Sequence, residues 1–143
     1  YIGGKQMVVC KIIHDPMFLR QKSKLATKED IGTVEDLKDT LIANQKTAAG
    51  LAANMIGKSK RIIAFYVGSL PMVMLNPQIM EESGSYQTKE GCLSLSGTRA
   101  TNRYKTIVVE YQNMSMKNQR QQFTNFIAET IQHEIDHCNG ILI

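Results

Sequence analysis

The stretch His133-Glu134-Ile135-Asp136-His137 constrains this chain more than any other part of it. It spells H-E-x-x-H. On an α-helix, residues i and i+4 stack on one face, so the two imidazoles can reach a single metal ion. Glu134 follows His133 by about 100° around the helix, beside the metal, where it can handle the protons of a metal-bound water. The pattern points to metal-assisted hydrolysis. The flanking sequence supports a helix. Asn125 to His137 contains no Gly or Pro, and Phe123, Phe126, Ile127, Thr130, Ile131, Glu134 and Cys138 recur at 3–4 spacing. Gly140 is a natural stop. The ligand face continues an apolar stripe, where a Glu and two His would be costly to desolvate without a partner such as a metal ion. Two of the three histidines of the chain, His14, His133 and His137, fall in this one turn.

With 143 residues, 43% hydrophobic and 21% charged, the chain is expected to form one domain over 1–143 with a proper core rather than to be disordered. The net charge of +4 is mild and scattered. Lys58, Lys60 and Arg61 are the one tight basic group, read as a solvated turn, so no nucleic-acid site is expected. The charge leaves room for an anionic partner such as a ribosome surface without establishing one. No apolar run reaches the ~20 residues of a membrane span, and no signal peptide is visible. Cys10, Cys92 and Cys138 are odd in number and widely spaced, unlike a secreted disulfide framework, so a cytoplasmic location is expected. Tyr1-Ile2-Gly3-Gly4 lacks an initiator Met, and Met7 is read as the native start.

Met7 to Ile13 is short, β-branched and apolar and reads as a strand, broken by His14-Asp15-Pro16. A polar loop is expected to about Gly32. Thr33 and Asp36 resemble a capping box, and Val34, Leu37 and Leu41 continue as a helical stripe ending near Gly50. Lys60–Val67 reads as a strand, Gly68–Pro71 as a turn, and Met72–Leu75 as an apolar run interrupted by Asn76-Pro77. Gln78–Glu90 reads as a hairpin region. Thr106–Tyr111 reads as a strand with Arg120–Phe123 as its partner. Strands in one run with helices outside it predict an α+β fold: antiparallel sheets packed around the C-terminal helix, with one N-terminal helix.

Two histidines need a third protein ligand. Only six residues follow His137, leaving no room for a Glu on a following helix, so the ligand is sought upstream. Cys92, in Glu90-Gly91-Cys92-Leu93-Ser94, is the best candidate, with Gly91 permitting close backbone approach. Thiolate and imidazole by themselves suggest Zn²⁺.

These residues resemble the peptide deformylase family. Glu90-Gly91-Cys92-Leu93-Ser94 matches its E-G-C-L-S, and Gln132 to His137 with Asn139-Gly140 matches its Q-H-E-x-D-H-x-x-G. Gly50-Leu51-Ala52-Ala53 with Ile56-Gly57 matches most of its G-x-G-L-A-A-x-Q-I-G. Asp15-Pro16, Leu19-Arg20 and Arg99 add weaker likeness, so the resemblance spans nearly the whole chain. It implies Cys92, His133 and His137 as ligands of one divalent ion, physiologically Fe²⁺, with Zn²⁺, Ni²⁺ or Co²⁺ often found instead. It implies Glu134 as proton carrier in removing the formyl group from N-formylmethionyl peptides of nascent chains. The Leu93 N–H and the side chain at position 55 would face the oxyanion, and backbone at Ala49, Gly50 and Gly91 would pair with the peptide. Asp136 points away from the ligand face and is expected either to support the ligands from behind or to serve as a surface charge partner.

The first motif departs from the family pattern. Ala48 replaces its first Gly, and Met55 stands where the oxyanion-stabilising Gln belongs. A thioether donates no hydrogen bond, and losing one oxyanion donor typically costs ~10²–10³ in kcat. Asn54 carries an amide, but neighbours in extended backbone point to opposite sides. Ser96 replaces a common Pro. Cys138 replaces a common Leu and reads as a small buried hydrophobe. Two readings follow: a working deformylase with reduced or altered activity, favoured by Glu134, or a metal-binding paralogue serving as a binding or regulatory module, favoured by Met55.

Overall fold

A computed structural model describes residues 7–143. The reading of Met7 as native start concerns residues 1–6, which lie outside the described residues. The order is helix α1 (Pro16–Leu19), helix α2 (Ile31–Ala43), strands β1 (Gly50–Ala52), β2 (Ile62–Val67), β3 (Leu70–Cys92), β4 (Leu95–Gln112) and β5 (Asn118–Thr124), then helix α3 (Asn125–Cys138). The expected α+β architecture is present. The strands form a single antiparallel sheet in the order β1-β2-β3-β4-β5, rather than several sheets. β5 pairs with β4 with Ile107 opposite Phe123, as the sequence predicts.

Several local expectations need correction. Met7–Ile13 is not a strand. Its backbone bonds elsewhere, Cys10 N–H to Thr40 Oγ1 (3.0 Å) and Ile13 N–H to the Met55 carbonyl (2.7 Å), so β-propensity loses to these tertiary contacts. The stretch before Gly32 is not all loop: Asp15 accepts from the Met17 N–H and caps α1 at Pro16. The capping box of the N-terminal helix is Thr27 with Asp30, not Thr33 with Asp36. It opens a 3₁₀ turn that runs straight into α2 at Ile31. α2 stops at Ala43, well before Gly50, where Asn44 turns its side-chain amide back to the Thr40 carbonyl. Finally, Asn76-Pro77 does not end a strand. The chain passes through it as a bulge, with Asn76 at φ 53° and the register shifting between Leu75 and Gln78. The polar Gln78–Glu90 segment is therefore one arm of a long β3–β4 hairpin, not a hairpin by itself.

The core lies between this sheet and the two longer helices. Leu37 and Leu41 of α2, Leu51, Ile62, Ile63, Phe65, Leu75 and Ile107 of the sheet, and Ile131 of α3 are fully buried. Burying each such side chain contributes about 1.5–3 kcal/mol. Phe65 meets Phe123 edge to face with ring centroids 6.1 Å apart. α3 packs on β1, β2 and β4, which fixes what its polar face confronts. Its C-terminus is anchored: Ser23 N–H donates to the Cys138 carbonyl (2.9 Å), and Arg61 donates to Asn139 Oδ1 (2.8 Å). Gly140 ends the helix at φ 76°, where a Cβ would collide with the Arg20 carbonyl. Among the described residues, no helix is long and apolar enough to cross a membrane.

Candidate metal centre

α3 and the tight β3–β4 turn converge on one cluster. His133 and His137 come from α3, and Cys92 ends β3. Their ligand atoms lie within 4.8 Å of one another. His137 Nε2 is 3.1 Å from His133 Nε2 and 3.4 Å from Cys92 Sγ. The Ser94 N–H points back at Cys92 Sγ (3.3 Å), the arrangement expected around a sulfur carrying negative charge. Cys138 is buried and Cys10 packs at the N-terminal segment, so neither joins the cluster.

The residues fit a divalent cation. Two imidazole nitrogens 3.1 Å apart need positive charge between them. A shared proton serves one pair, whereas a metal ion would satisfy both nitrogens and the thiolate together. The titration of the two histidines reflects that crowding. Burial opposes a proton on His133, but hydrogen bonds to Cys92 and Glu90, with nearby carboxylates, carry its pKa up to about 10. Burial and the charge on His133 push His137 down to about 3. Cys92→Ala is expected to lose the bound metal on elemental analysis, while Cys10→Ala and Cys138→Ala retain it.

Behind the cluster lies a network in which Glu90 and Arg103 have no role assigned from the sequence. His133 Nδ1 meets Glu90 Oε1 at 2.8 Å. Arg103 on β4 grips the same carboxylate with two bonds of 2.9 and 2.7 Å, and reaches Asp136 at 2.7 Å. Burial alone would raise the Glu90 pKa, but the bonds from His133 and Arg103 outweigh it and hold it at about 2. A permanent carboxylate behind His133 fixes the ring so that Nε2 faces the metal position. Among the described residues, Asp136 meets the cluster only through Arg103. Glu90 was visible only as a motif letter, and Arg103 carried no signal at all. Gln132 was likewise only a motif letter. Its amide accepts from the Tyr104 N–H (2.9 Å) and donates to the Tyr104 carbonyl (2.8 Å), clamping α3 to β4 like a short extra strand.

A cavity of about 540 Å³ opens beside the cluster, lined among others by Gly50, Met55, Gly91, Leu93, His133 and Glu134. Glu134 is 3% exposed, and its Oε1 has no hydrogen-bond partner. Burial raises its pKa to about 7, against the opposing charge on His133. Gly50 gives the carboxylate room: a Cβ there would lie 2.9 Å from Thr130 Cγ2 and 3.1 Å from Glu134 Oε2. Gly50→Ala is therefore expected to destabilise by about 1–3 kcal/mol in chemical denaturation and to lower turnover by displacing Glu134.

Two strand edges border the cavity. β1 is the outer strand of the sheet, and β3 pairs with β2 only over Leu70–Leu75, leaving that side of its later residues open at Gly91. The Ala49 carbonyl is taken by the Tyr66 N–H (3.1 Å), so ladder alternation turns the Gly50 N–H and C=O to the free edge. Of the expected backbone partners, Gly50 and Gly91 thus present the edges, and Ala49 contributes to the wall. Met55, 1% exposed, turns its sulfur toward the Ala52 N–H (3.4 Å). Asn54 donates to the His137 carbonyl (2.9 Å) and does not line the cavity, but the reason differs from the expected one: Asn54 and Met55 lie in a 3₁₀ turn (Ala53–Ile56), not in extended backbone. Phe126, expected within the apolar stripe, is instead 65% exposed at the cavity mouth.

Residues 9–143 match the model of the family described as polypeptide deformylase. The chain belongs to that family. It is 50% identical over 132 residues to the peptide deformylase of Clostridium beijerinckii, covering 92% of this chain and 97% of that one. Its fold superposes on the crystal structure of a Legionella pneumophila peptide deformylase with TM-score 0.85 and 31% identity, covering 94% and 83% of the two chains. A Met-Ala-Ser-bound class I type b peptide deformylase from Acinetobacter baumannii also gives TM-score 0.85, at 25% identity and 94% and 97% coverage. The chain is accordingly a hydrolase of the deformylase type. These relatives are deformylases by name, and the reading as a binding or regulatory module finds no support among them.

Proposed function

We propose that this chain removes the N-formyl group from N-formylmethionyl peptides of nascent proteins in the cytoplasm, with Fe²⁺ as the physiological ion and Zn²⁺, Ni²⁺ or Co²⁺ able to stand in. The observation that carries the reading is Glu134: a buried carboxylate with a free oxygen, one residue from a ligand, facing a cavity between two free strand edges. Such a carboxylate costs stability, and its place in a cleft marks it as a candidate for chemistry.

Cys92, His133 and His137 would hold the ion. When bound, the ion supplies Lewis acidity that makes a water able to give up a proton near neutral pH and polarises the formyl oxygen. The residues of the chain do the rest. Gly50 and Gly91 add the peptide to the strand edges and hold its backbone extended. Glu134 takes the proton of the attacking water and later returns it to the departing amine. The Leu93 N–H donates to the oxyanion as the carbonyl becomes tetrahedral. Glu90, held by Arg103, keeps His133 oriented throughout.

Met55 leaves one oxyanion donor missing. A Gln at position 55 could place its oxygen where the thioether now meets the Ala52 N–H, leaving its NH₂ toward the cavity. Met55→Gln is therefore expected to raise kcat on a formyl-Met peptide by about tenfold to a hundredfold, below the ~10²–10³ seen when such a donor is removed. No gain, with folding and metal content unchanged, would assign the oxyanion entirely to Leu93 and the metal. A ribosome surface remains a candidate partner on the mild positive charge alone.

A further inference from the structure

We infer that His14 is a positioning residue, which pins from the N-terminal segment the turn that carries both the Cys92 thiolate and the Leu93 N–H. The inference rests on the deformylase reading above. His14 is the third histidine of the chain and takes no part in the metal cluster. Its Nδ1 lies 2.9 Å from the carbonyl of Ser94, 80 residues further along the chain. A carbonyl only accepts, so Nδ1 carries the proton and donates. Ser94 is thereby engaged at both ends. Its N–H points at Cys92 Sγ (3.3 Å), and its carbonyl accepts from His14. The Leu93 N–H belongs to the preceding peptide unit, so the same pin sets its direction.

Among the described residues, the other hydrogen bonds of this turn stay within the hairpin or the cluster. Arg99 donates to the Ser96 carbonyl (3.1 Å), and Cys92 Sγ meets His137 Nε2 (3.4 Å). Ser96 stands where a Pro is common, so the turn also lacks the fixed φ that a proline ring would give it. The residue before His14 reaches the opposite side of the site. The Ile13 N–H donates to the Met55 carbonyl (2.7 Å). Two adjacent residues thus tie the segment bearing Met55 to the turn bearing Leu93, the two sides of the proposed oxyanion position. The Met55 side chain supplies no donor there. Placement of the Leu93 N–H therefore carries more of the chemistry, and a displacement of ~1 Å can cost ~10² in rate.

The test compares the native chain with His14→Phe and His14→Asn, each loaded with Co²⁺. His14→Phe keeps a ring and removes the donor, whereas the Asn amide nitrogen takes the place of Nδ1. His14 is solvent-exposed, so both variants should fold. In His14→Phe the thiolate-to-cobalt charge-transfer band should move to longer wavelength, because a sulfur that loses the Ser94 N–H gives up its electrons more readily. On formyl-Met-Ala-Ser, kcat of His14→Phe should fall about tenfold with KM little changed. That is less than the ~10²–10³ for outright loss of an oxyanion donor. His14→Asn should bring both the band and kcat back to the native values. A band that stays in place, or a kcat within about twofold of native, overturns the inference even if the melting temperature falls, and leaves the bond a purely structural one. Equal losses in His14→Phe and His14→Asn overturn it as well. If the native chain itself releases no formate, the deformylase reading falls, and the position of the charge-transfer band alone decides this one.

Discussion

Glu134→Ala is expected to lower kcat on a formyl-Met peptide by about 10²–10⁴, the range for losing a positioned acid–base group. Metal content and KM should change little. Glu134 is not one of the convergent ligand atoms, and in the proposed reading the peptide would be held by the strand edges at Gly50 and Gly91. The isosteric Glu134→Gln should be equally slow but at least as stable as the native chain. It keeps the volume and removes the charge from a carboxylate that is almost fully buried. A loss of activity together with higher stability is what separates a group retained for chemistry from one retained for folding. If Glu134→Gln destabilised the protein and left kcat intact, Glu134 would be structural.

Arg103→Leu is expected to act in the opposite sense. Arg103 is 4% exposed and bridges Glu90 to Asp136 with bonds of 2.7–2.9 Å. Removing it strands two carboxylates, one of them deeply buried, and breaking a buried pair from one side costs about 3–5 kcal/mol. Denaturant midpoints should fall accordingly. Where the variant still folds, metal affinity should drop about 10–100-fold, because Glu90 no longer fixes the His133 ring. The control is Arg120→Ala, which breaks the exposed pairs with Glu81 and Glu110 and should change stability little. Equal effects of the two substitutions would contradict the role given to the buried network.

How much of this was legible in the sequence follows from how local each signal is. α3 announced itself because fourteen residues keep one period and end at a glycine that must be left-handed. Cys92 was legible because few residue types complete a two-histidine site. Arg103 was not, because its partners, Glu90 and Asp136, lie 13 and 33 residues away and meet it only once β3 and β4 have paired. The same limit explains Met7–Ile13. Its residues favour a strand, but strand formation needs a free edge, and its N–H groups bond to Thr40 and Met55 instead. Asn76-Pro77 looked like a break because proline removes a ladder donor. The long hairpin absorbs it with a bulge, and Asn76 gains bonds to Ala26 and Gln112. Gly50 was read as a peptide-binding position, whereas its second use, making room for Glu134, required the packing of α3 on β1.

The most direct measurement is formate release from formyl-Met-Ala-Ser by the chain as it stands, loaded anaerobically with Fe²⁺ and, in parallel, with Ni²⁺, and with metal content determined on the same sample. The account predicts stoichiometric metal on Cys92, His133 and His137 and steady turnover despite Met55. A fully metal-loaded, folded sample that releases no formate would contradict it.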